Sequence, residues 1–219
     1  MRPAQRFDTL YMAVSRRLSR LRNLADSAST RPASEFSRTN MEISFVSIEL
    51  HTTIANFSRA YFLSCTLNPL TMTGRRVNCH SLIASYLDAI DASMKACKLS
   101  IWRKSSGTKT WDRRDEPPWH QPETLIKSCQ EIGCSHHSDI LTAFAIPTQV
   151  FGHLTKFRNF YAHRNQSTID IAKNLATSYS IPTTMHPTQI LRSSAYGRYQ
   201  PLILDWVDDV RNIFEILCQ

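Results

Sequence analysis

Apolar residues recur along most of this chain at steps of three and four, which is the spacing of one face of an α-helix. In residues 1–25 these positions are surrounded by six arginines, a pattern that predicts a short basic amphipathic helix. The polar stretch 26–34 is then typical of a linker. We expect the helix to pack on the body of the protein, with pairing to a partner or contact with RNA as alternatives.

Two longer apolar stripes follow. The first predicts a helix over about residues 41–67, which Pro69 ends because proline disfavours helical backbone in the residue before it. The second predicts a helix over about residues 75–99. Antiparallel packing of these two helices would form the spine of a bundle. Residues 102–119, which contain three tryptophans, break the pattern and indicate an ordered loop.

The second half of the chain predicts four more helices. Pro122 suits the first turn of one of them, and Pro147 marks a kink or a boundary near the middle of another. The region after Asn165 is less regular. The four helices are expected at about 122–132, 138–157, 188–195 and 199–217.

Composition agrees with a helical fold. The chain has 219 residues, of which 42% are apolar, enough for a core, but it has only five glycines. Few segments alternate apolar and polar residues as half-buried strands would. We therefore predict an all-α protein with a helical domain over residues 41–219 and an N-terminal helical extension over residues 1–40.

No segment predicts a membrane span or a secretory leader. The N-terminus is rich in arginine and lacks a continuous apolar stretch, and no apolar run approaches the roughly 18 to 20 residues that a span needs. Most of the six cysteines lie inside helical patterns. Reduced, buried thiols in a cytoplasmic protein are the economical interpretation.

One group of residues suggests a metal, namely Cys129, Cys134, His136 and His137. Their spacing does not match a standard zinc pattern, in which a Cys-x2–4-Cys pair is joined by a second, distant pair. Core thiols are favoured, so we expect neither a metal nor a cofactor. Glycine-rich phosphate loops, zinc-protease motifs and serine-hydrolase motifs do not occur, which excludes those classes of enzyme.

The charge balance points to phosphate-rich partners. Lys and Arg number 26 against 18 Asp and Glu, and such an excess attracts polyanions. The residues best suited to phosphate chemistry are Arg158 and His163, with the amide Asn159 directly after the arginine. Arginine holds a phosphate as a permanent planar cation, and histidine exchanges protons near neutral pH. The pair indicates metal-free chemistry on a phosphodiester.

Residues Arg158 to His163 fit the pattern Arg-polar-x-x-x-His, which resembles the defining motif of the HEPN superfamily (higher eukaryotes and prokaryotes nucleotide-binding domains). The resemblance covers roughly residues 41–219 and implies a bundle of four or five helices, with the motif at the end of a long helix. Many HEPN proteins are metal-independent endoribonucleases. In their reaction the 2′-hydroxyl of the RNA attacks the adjacent phosphorus and leaves a 2′,3′-cyclic phosphate.

The resemblance also implies a catalytic role for each residue of the motif. His163 would transfer protons, Arg158 would stabilise charge on the pentacoordinate phosphorus, and Asn159 would orient the histidine or the substrate. On an ideal helix Arg158 and His163 are about 140° apart, too far to converge. Either the helix frays after Arg158 or a second copy completes the site. Because HEPN proteins dimerise with their motifs facing each other, we expect a homodimer with a composite site.

Five further residues are candidates for binding RNA. Lys156 and Arg164 flank the motif and can contact neighbouring phosphates. Tyr161 could stack a base, although an aromatic residue at this spacing more often lies in a core. Asn56 and Arg59 lie on the helix predicted at 41–67, which approaches the motif in HEPN folds; a solvated helix face explains them equally well.

Three functions stay open. The first is an endoribonuclease acting as a toxin or in anti-phage defence, with an antitoxin or regulatory protein as a further partner. In one HEPN subgroup the antitoxin modifies a tyrosine two residues after the histidine, and Asn165 at that position argues against this route of control. The second is an RNA-binding or protein-interaction module without catalysis. The third is a helical scaffold whose basic N-terminal arm recruits a partner. For Arg158 and His163 themselves, the alternative to a catalytic role is that they are helix-end cations favoured by the helix dipole.

Overall fold

The computed structural model describes residues 1–79, 83, 85–98 and 111–219. Nine α-helices and no strand occur in these ranges, which confirms the predicted all-α class. Among the described helices, none is both long enough and apolar enough to span a membrane. The helices are α1 Phe7–Ser29, α2 Phe36–Cys65, α3 Tyr86–Ala96, α4 Pro122–Glu131, α5 His137–Phe144, α6 Val150–His163, α7 Gln166–Asn174, α8 Pro187–Arg192 and α9 Leu202–Cys218.

The first two helices differ from their predicted bounds. α1 runs to Ser29, so the first part of the stretch predicted as a linker is helical. The apolar face of α1 continues through Ala25 and Ala28, which are both fully buried. Small residues give a weak periodic signal, which is why the sequence pattern ends too early. α2 begins at Phe36, after a short 3-10 turn at Ala33–Glu35.

The helix predicted over residues 75–99 is wrong in its first part. There the chain forms a turn, in which the N–H of Gly74 donates to the carbonyl of Thr71 at 3.0 Å. Gly74 has φ of 84°, a conformation that favours glycine. The turn pairs Leu70 with Arg76 in an isolated antiparallel bridge. Within the described part of this stretch the helix is α3 alone; residues 80–82, 84 and 99 lie outside the described residues.

The second half of the chain follows the prediction more closely. Pro147 is a boundary, because α5 ends at Phe144 and α6 begins at Val150. The region after Asn165 contains α7, which apolar periodicity does not predict because Ala172 is its one buried residue. Of the loop predicted at 102–119, residues 102–110 lie outside the described residues.

The chain divides into two compact units, each assembled from separate stretches. Unit 1 comprises Met1–Val14, Ile54–Pro147 and Ile213–Gln219, and unit 2 comprises Ser15–Thr53 and Thr148–Asn212. Helices α1, α2 and α9 contribute residues to both units. The division that we predicted at residue 40 falls inside α2.

Stacked aromatic rings form the centre of unit 1. Phe57 lies on Phe214 with ring centroids 3.8 Å apart, and Phe7 lies on Tyr61 at 4.6 Å. All four side chains are fully buried. These contacts join the beginning of α1 and the end of α9 to the last turns of α2.

Unit 2 is built around Trp206 of α9, the largest fully buried side chain. Its ring meets Phe157 of α6 edge to face at 5.6 Å and Tyr179 at 6.2 Å. On the same side of α6, one turn before Phe157, Nδ1 of His153 lies 2.7 Å from the Tyr179 hydroxyl, and burial lowers the pKa of this imidazole. These contacts set the rotation of α6 about its own axis.

The aromatic stack of unit 1 gives a stability prediction. Phe214→Ala removes the partner of Phe57 and leaves a cavity, so the free energy of unfolding should fall by about 3–5 kcal/mol. Unfolding in guanidinium chloride, followed by circular dichroism, measures the loss. Phe45→Ala is the control, because that ring is 53% exposed and its removal should change stability by less than about 0.5 kcal/mol. Equal losses in the two variants would contradict the assigned core.

Candidate functional site

Six of the eight predicted site residues lie on α6 or directly after it, in unit 2. Successive residues of a helix are about 100° apart, which places Lys156, Asn159 and His163 within about 60° of one another, opposite the apolar stripe. Lys156 and His163 are exposed, and Asn159 is half-buried. The buried stripe consists of Val150, Leu154, Phe157, Phe160 and Tyr161.

Arg158 lies on the flank of this exposed face and is half-buried. Its Nη1 donates to Oδ1 of Asn159 at 3.2 Å. Because the amide oxygen accepts from the guanidinium, the amide nitrogen of Asn159 remains available as a donor. Asn159 therefore joins the guanidinium to the face that carries His163.

The segment of chain around Arg158 carries no negative charge, since residues 140–169 include no Asp or Glu. Two other half-buried arginines of unit 2 have carboxylate partners: Arg22 pairs with Asp208 at 2.9 Å and Arg31 with Glu42 at 3.0 Å. Two more bond to neutral oxygens instead, Arg192 to the carbonyls of Ser29 and Arg31 and Arg211 to Oγ of Ser19. Within the described residues Arg158 has no ion pair, and its hydrogen bond is the one to Asn159. A partly desolvated guanidinium without a carboxylate is suited to an anionic ligand.

α6 stays helical up to His163, so it does not fray after Arg158. The helix ends because Arg164 adopts a left-handed conformation, with φ of 48° and ψ of 34°. Asn165 then caps α7, since its Oδ1 accepts from the N–H of Thr168 at 2.9 Å. His163 thus lies in the last turn, where the helix dipole favours a cation, as the helix-end interpretation requires. Within one copy Arg158 and His163 remain about 140° apart.

Tyr161 lies in the core of unit 2. Its side chain is 5% exposed, and its hydroxyl lies 3.0 Å from Oγ1 of Thr188. The Thr188 hydroxyl donates in turn to Oδ1 of Asn40 at 2.6 Å. Burial raises the pKa of the Tyr161 phenol. Tyr161 is therefore a packing residue. This is the interpretation that its spacing favoured over base stacking.

Asn56 and Arg59 lie on the part of α2 that belongs to unit 1. Arg59 forms two hydrogen bonds with Glu116, at 2.5 and 2.7 Å, and the Glu116 side chain is 4% exposed. Oδ1 of Asn56 accepts from Arg113 at 2.9 Å. Trp119 also donates to Glu116, at 2.8 Å. Both predicted RNA-binding residues thus have a structural task, which is to hold the segment 111–119 on α2.

A cluster of cysteines in unit 1 could hold a metal. The Sγ atoms of Cys65, Cys129 and Cys134 all lie within 4.8 Å of one another. Cys79 is paired with Cys134 in an isolated antiparallel bridge. In the sequence, Cys129-x4-Cys134 was the one recognisable part of a zinc-binding pattern. The other two residues, Cys65 and Cys79, gave no such signal because both lie in segments predicted as helices. His136 is not a member, because its Nδ1 accepts from Arg75 at 2.8 Å.

In comparisons with known proteins, no family model, curated protein or solved structure matches the chain. The functional conclusion therefore depends on the residues and the geometry of the chain itself.

The break between α6 and α7 gives a second prediction. Asn165→Ala removes the side chain that caps α7, so the free energy of unfolding should fall by about 1 kcal/mol. Ser167→Ala, at an exposed position in the first turn of the same helix, should change it by less than about 0.5 kcal/mol. Urea unfolding of both variants measures the difference. A loss confined to Ser167→Ala would show that the cap is wrongly assigned.

Proposed function

We propose that this protein is a metal-independent endoribonuclease in which Arg158, Asn159 and His163 form half of a shared site. The observation that carries the proposal is a half-buried Arg158 that has no carboxylate partner among the described residues, on the same helix as the exposed His163. A phosphodiester would supply the negative charge that this guanidinium lacks. The resemblance of the motif to that of HEPN proteins supports the same chemistry.

The proposed reaction is an internal transfer of the phosphoryl group. The 2′-oxygen of the RNA attacks the neighbouring phosphorus, its bond to phosphorus forms, and the bond from phosphorus to the 5′-oxygen breaks. One imidazole takes the proton of the 2′-hydroxyl, and a second gives a proton to the departing 5′-oxygen. Arg158 stabilises the negative charge on the non-bridging oxygens. The products are a 2′,3′-cyclic phosphate and a 5′-hydroxyl.

Two imidazoles and a converging arginine require a second copy of the chain. Because α6 is helical through His163, fraying does not bring Arg158 and His163 of one copy together. A homodimer in which two α6 helices face each other would set Arg158 of one copy against His163 of the other. Asn159, through its hydrogen bond, would hold the guanidinium in place. Lys156 and Arg164 would contact the phosphates on either side of the cut.

Cleavage of RNA by purified protein tests the chemistry. In EDTA, with circular dichroism confirming that the fold persists, wild-type protein should cut RNA and leave 5′-hydroxyl ends that polynucleotide kinase labels directly. His163→Gln should slow cleavage about 100- to 10,000-fold because the proton transfer is lost. Arg158→Ala should slow it about 100- to 1,000-fold because transition-state charge is no longer stabilised.

Arg198→Ala is the control for loss of one positive charge, since Arg198 is exposed in the same unit. Its rate should equal that of the wild type. Cleavage that requires magnesium, or that persists in both motif variants, would rule out the proposed reaction. RNA binding without cleavage would instead support the non-catalytic module.

A role as toxin or defence effector rests on the resemblance, and it predicts toxicity on expression that His163→Gln removes.

Mixing wild-type and His163→Gln subunits tests the shared site. If the reaction needs both imidazoles of a dimer, a heterodimer with one His163 is inactive. Random exchange of equal amounts then leaves about a quarter of the dimers with both imidazoles, so activity should fall to about half of the sum measured before exchange. Wild-type protein mixed with Arg198→Ala is the control, and its activity should not change on exchange. Activity that stays unchanged after verified subunit exchange would place the whole site within one copy.

A further inference from the structure

The cysteines of unit 1 come from separate segments of the chain. Cys65 is the last residue of α2, and Cys129 lies in the last turn of α4. Cys134 follows α4 after a turn in which Gly133 has φ of 60°. Cys79 belongs to the extended segment before α3 and is half-buried, whereas the other three are buried. Four cysteines in one place are rarely needed to fill a core, since aliphatic side chains pack as well.

The spacing of the sulfur atoms suits a single small cation. Zinc bound by four thiolates has Zn–S bonds of about 2.3 Å, which places neighbouring sulfurs about 3.8 Å apart. Cys65, Cys129 and Cys134 have their sulfurs within 4.8 Å of one another. Cys79 is outside this group of three but adjacent to it, because its Sγ donates to the carbonyl of Cys65 at 3.2 Å and its backbone pairs with that of Cys134. Three of the cysteines therefore have the spacing of zinc ligands, and Cys79 is the neighbouring candidate for the fourth ligand.

Thiols lose their protons when they bind a metal. A divalent cation would replace the protons of these clustered cysteines and stabilise all the thiolates together.

An unused polar group lies near the cluster. Tyr61 lies one helical turn before Cys65 on α2 and is fully buried, yet its hydroxyl has no hydrogen-bond partner among the described residues. Its ring centroid is 6.5 Å from that of His136, two residues after Cys134. An unused buried donor beside sulfur is the outer contact that thiolate metal sites use.

We propose that Cys65, Cys79, Cys129 and Cys134 bind one Zn²⁺ ion in a closed tetrahedral site. Four thiolates without an open position are the ligand set of structural zinc. Soft sulfur ligands disfavour magnesium and calcium, which prefer oxygen. A disulfide would use two of the four sulfurs and leave the others without a role. The site is separate from the proposed ribonuclease reaction, which needs no metal.

The zinc ion would hold an irregular segment in place. Residues 66–79, which follow α2, are bonded through isolated bridges rather than through a helix or sheet. Zinc would link this stretch at Cys79 to the end of α2 at Cys65 and to the end of α4 at Cys129 and Cys134. Loss of the ion should therefore loosen residues 66–79 first.

Metal analysis and cobalt substitution test the site in the full-length protein. Protein purified under reducing conditions should contain one zinc per chain by mass spectrometry of the metal. Reduced protein stripped of metal and titrated with Co²⁺ should develop the visible bands of tetrahedral cobalt and the near-ultraviolet charge-transfer bands of thiolate ligands. Added Zn²⁺ should abolish both sets of bands and raise the melting temperature.

Cysteine variants identify the ligands. Cys79→Ser and Cys134→Ser should each weaken zinc binding by roughly 100-fold or more, since even outer contacts account for 10- to 100-fold. Cys97→Ser is the matched control, because Cys97 is a half-buried thiol outside the cluster, and it should bind zinc as the wild type does. If a ligand variant fails to fold, alkylation of wild-type protein with and without zinc identifies the ligands instead. Zinc should protect the four cluster cysteines and leave Cys97 reactive.

Several results would overturn the proposal. These are reduced wild-type protein that binds neither Zn²⁺ nor Co²⁺, cobalt spectra without thiolate bands, and a disulfide within the cluster in freshly purified protein. A Cys79→Ser variant with unchanged cobalt spectra would remove Cys79 as the fourth ligand and refute the closed site. All these readouts are independent of RNA cleavage, so the zinc site and the ribonuclease can fail separately.

Discussion

Burial of one face of α6 is the constraint on which the proposed site depends. Phe157 packs on Trp206, and Tyr161 bonds to Thr188, so the helix cannot turn about its axis without exposing aromatic rings. Because side-chain directions along a helix follow from one another, this face also determines where His163 points. The exposed position of the imidazole is thus a consequence of core packing elsewhere on the same helix.

Two sites in this protein share one physical feature, a polar group partly removed from water without its usual partner. In unit 2 that group is the guanidinium of Arg158, whose neighbours on α6 include no carboxylate. In unit 1 it is the set of sulfurs around Cys134, together with the hydroxyl of Tyr61. In the functions proposed above, the first group would bind an anion and the second a cation. Desolvation without compensation is costly, so each is an indication of a ligand.

Most other charged side chains of the protein have a structural partner. Arg59 is bonded to Glu116 in unit 1, and Arg22 to Asp208 in unit 2. These pairs use up a share of the 18 acidic residues in a chain with 26 Lys and Arg. On α6, Arg158 has no ion pair within the described residues. Net charge alone predicted attraction to phosphate, and the proposed function would use that attraction at this arginine.

The sequence by itself determined the helical class, most helix positions, the boundary at Pro147 and the alignment of Lys156, Asn159 and His163. These features depend on residues a few positions apart, which periodicity and capping report directly. Only the tertiary structure decided that the chain after Gly74 is extended, that Tyr161 is buried, and that Arg59 is paired. It also decided that cysteines as distant as Cys65 and Cys134 meet. The physical reason is that burial and ligand geometry depend on contacts between residues far apart in the chain, which local patterns do not contain.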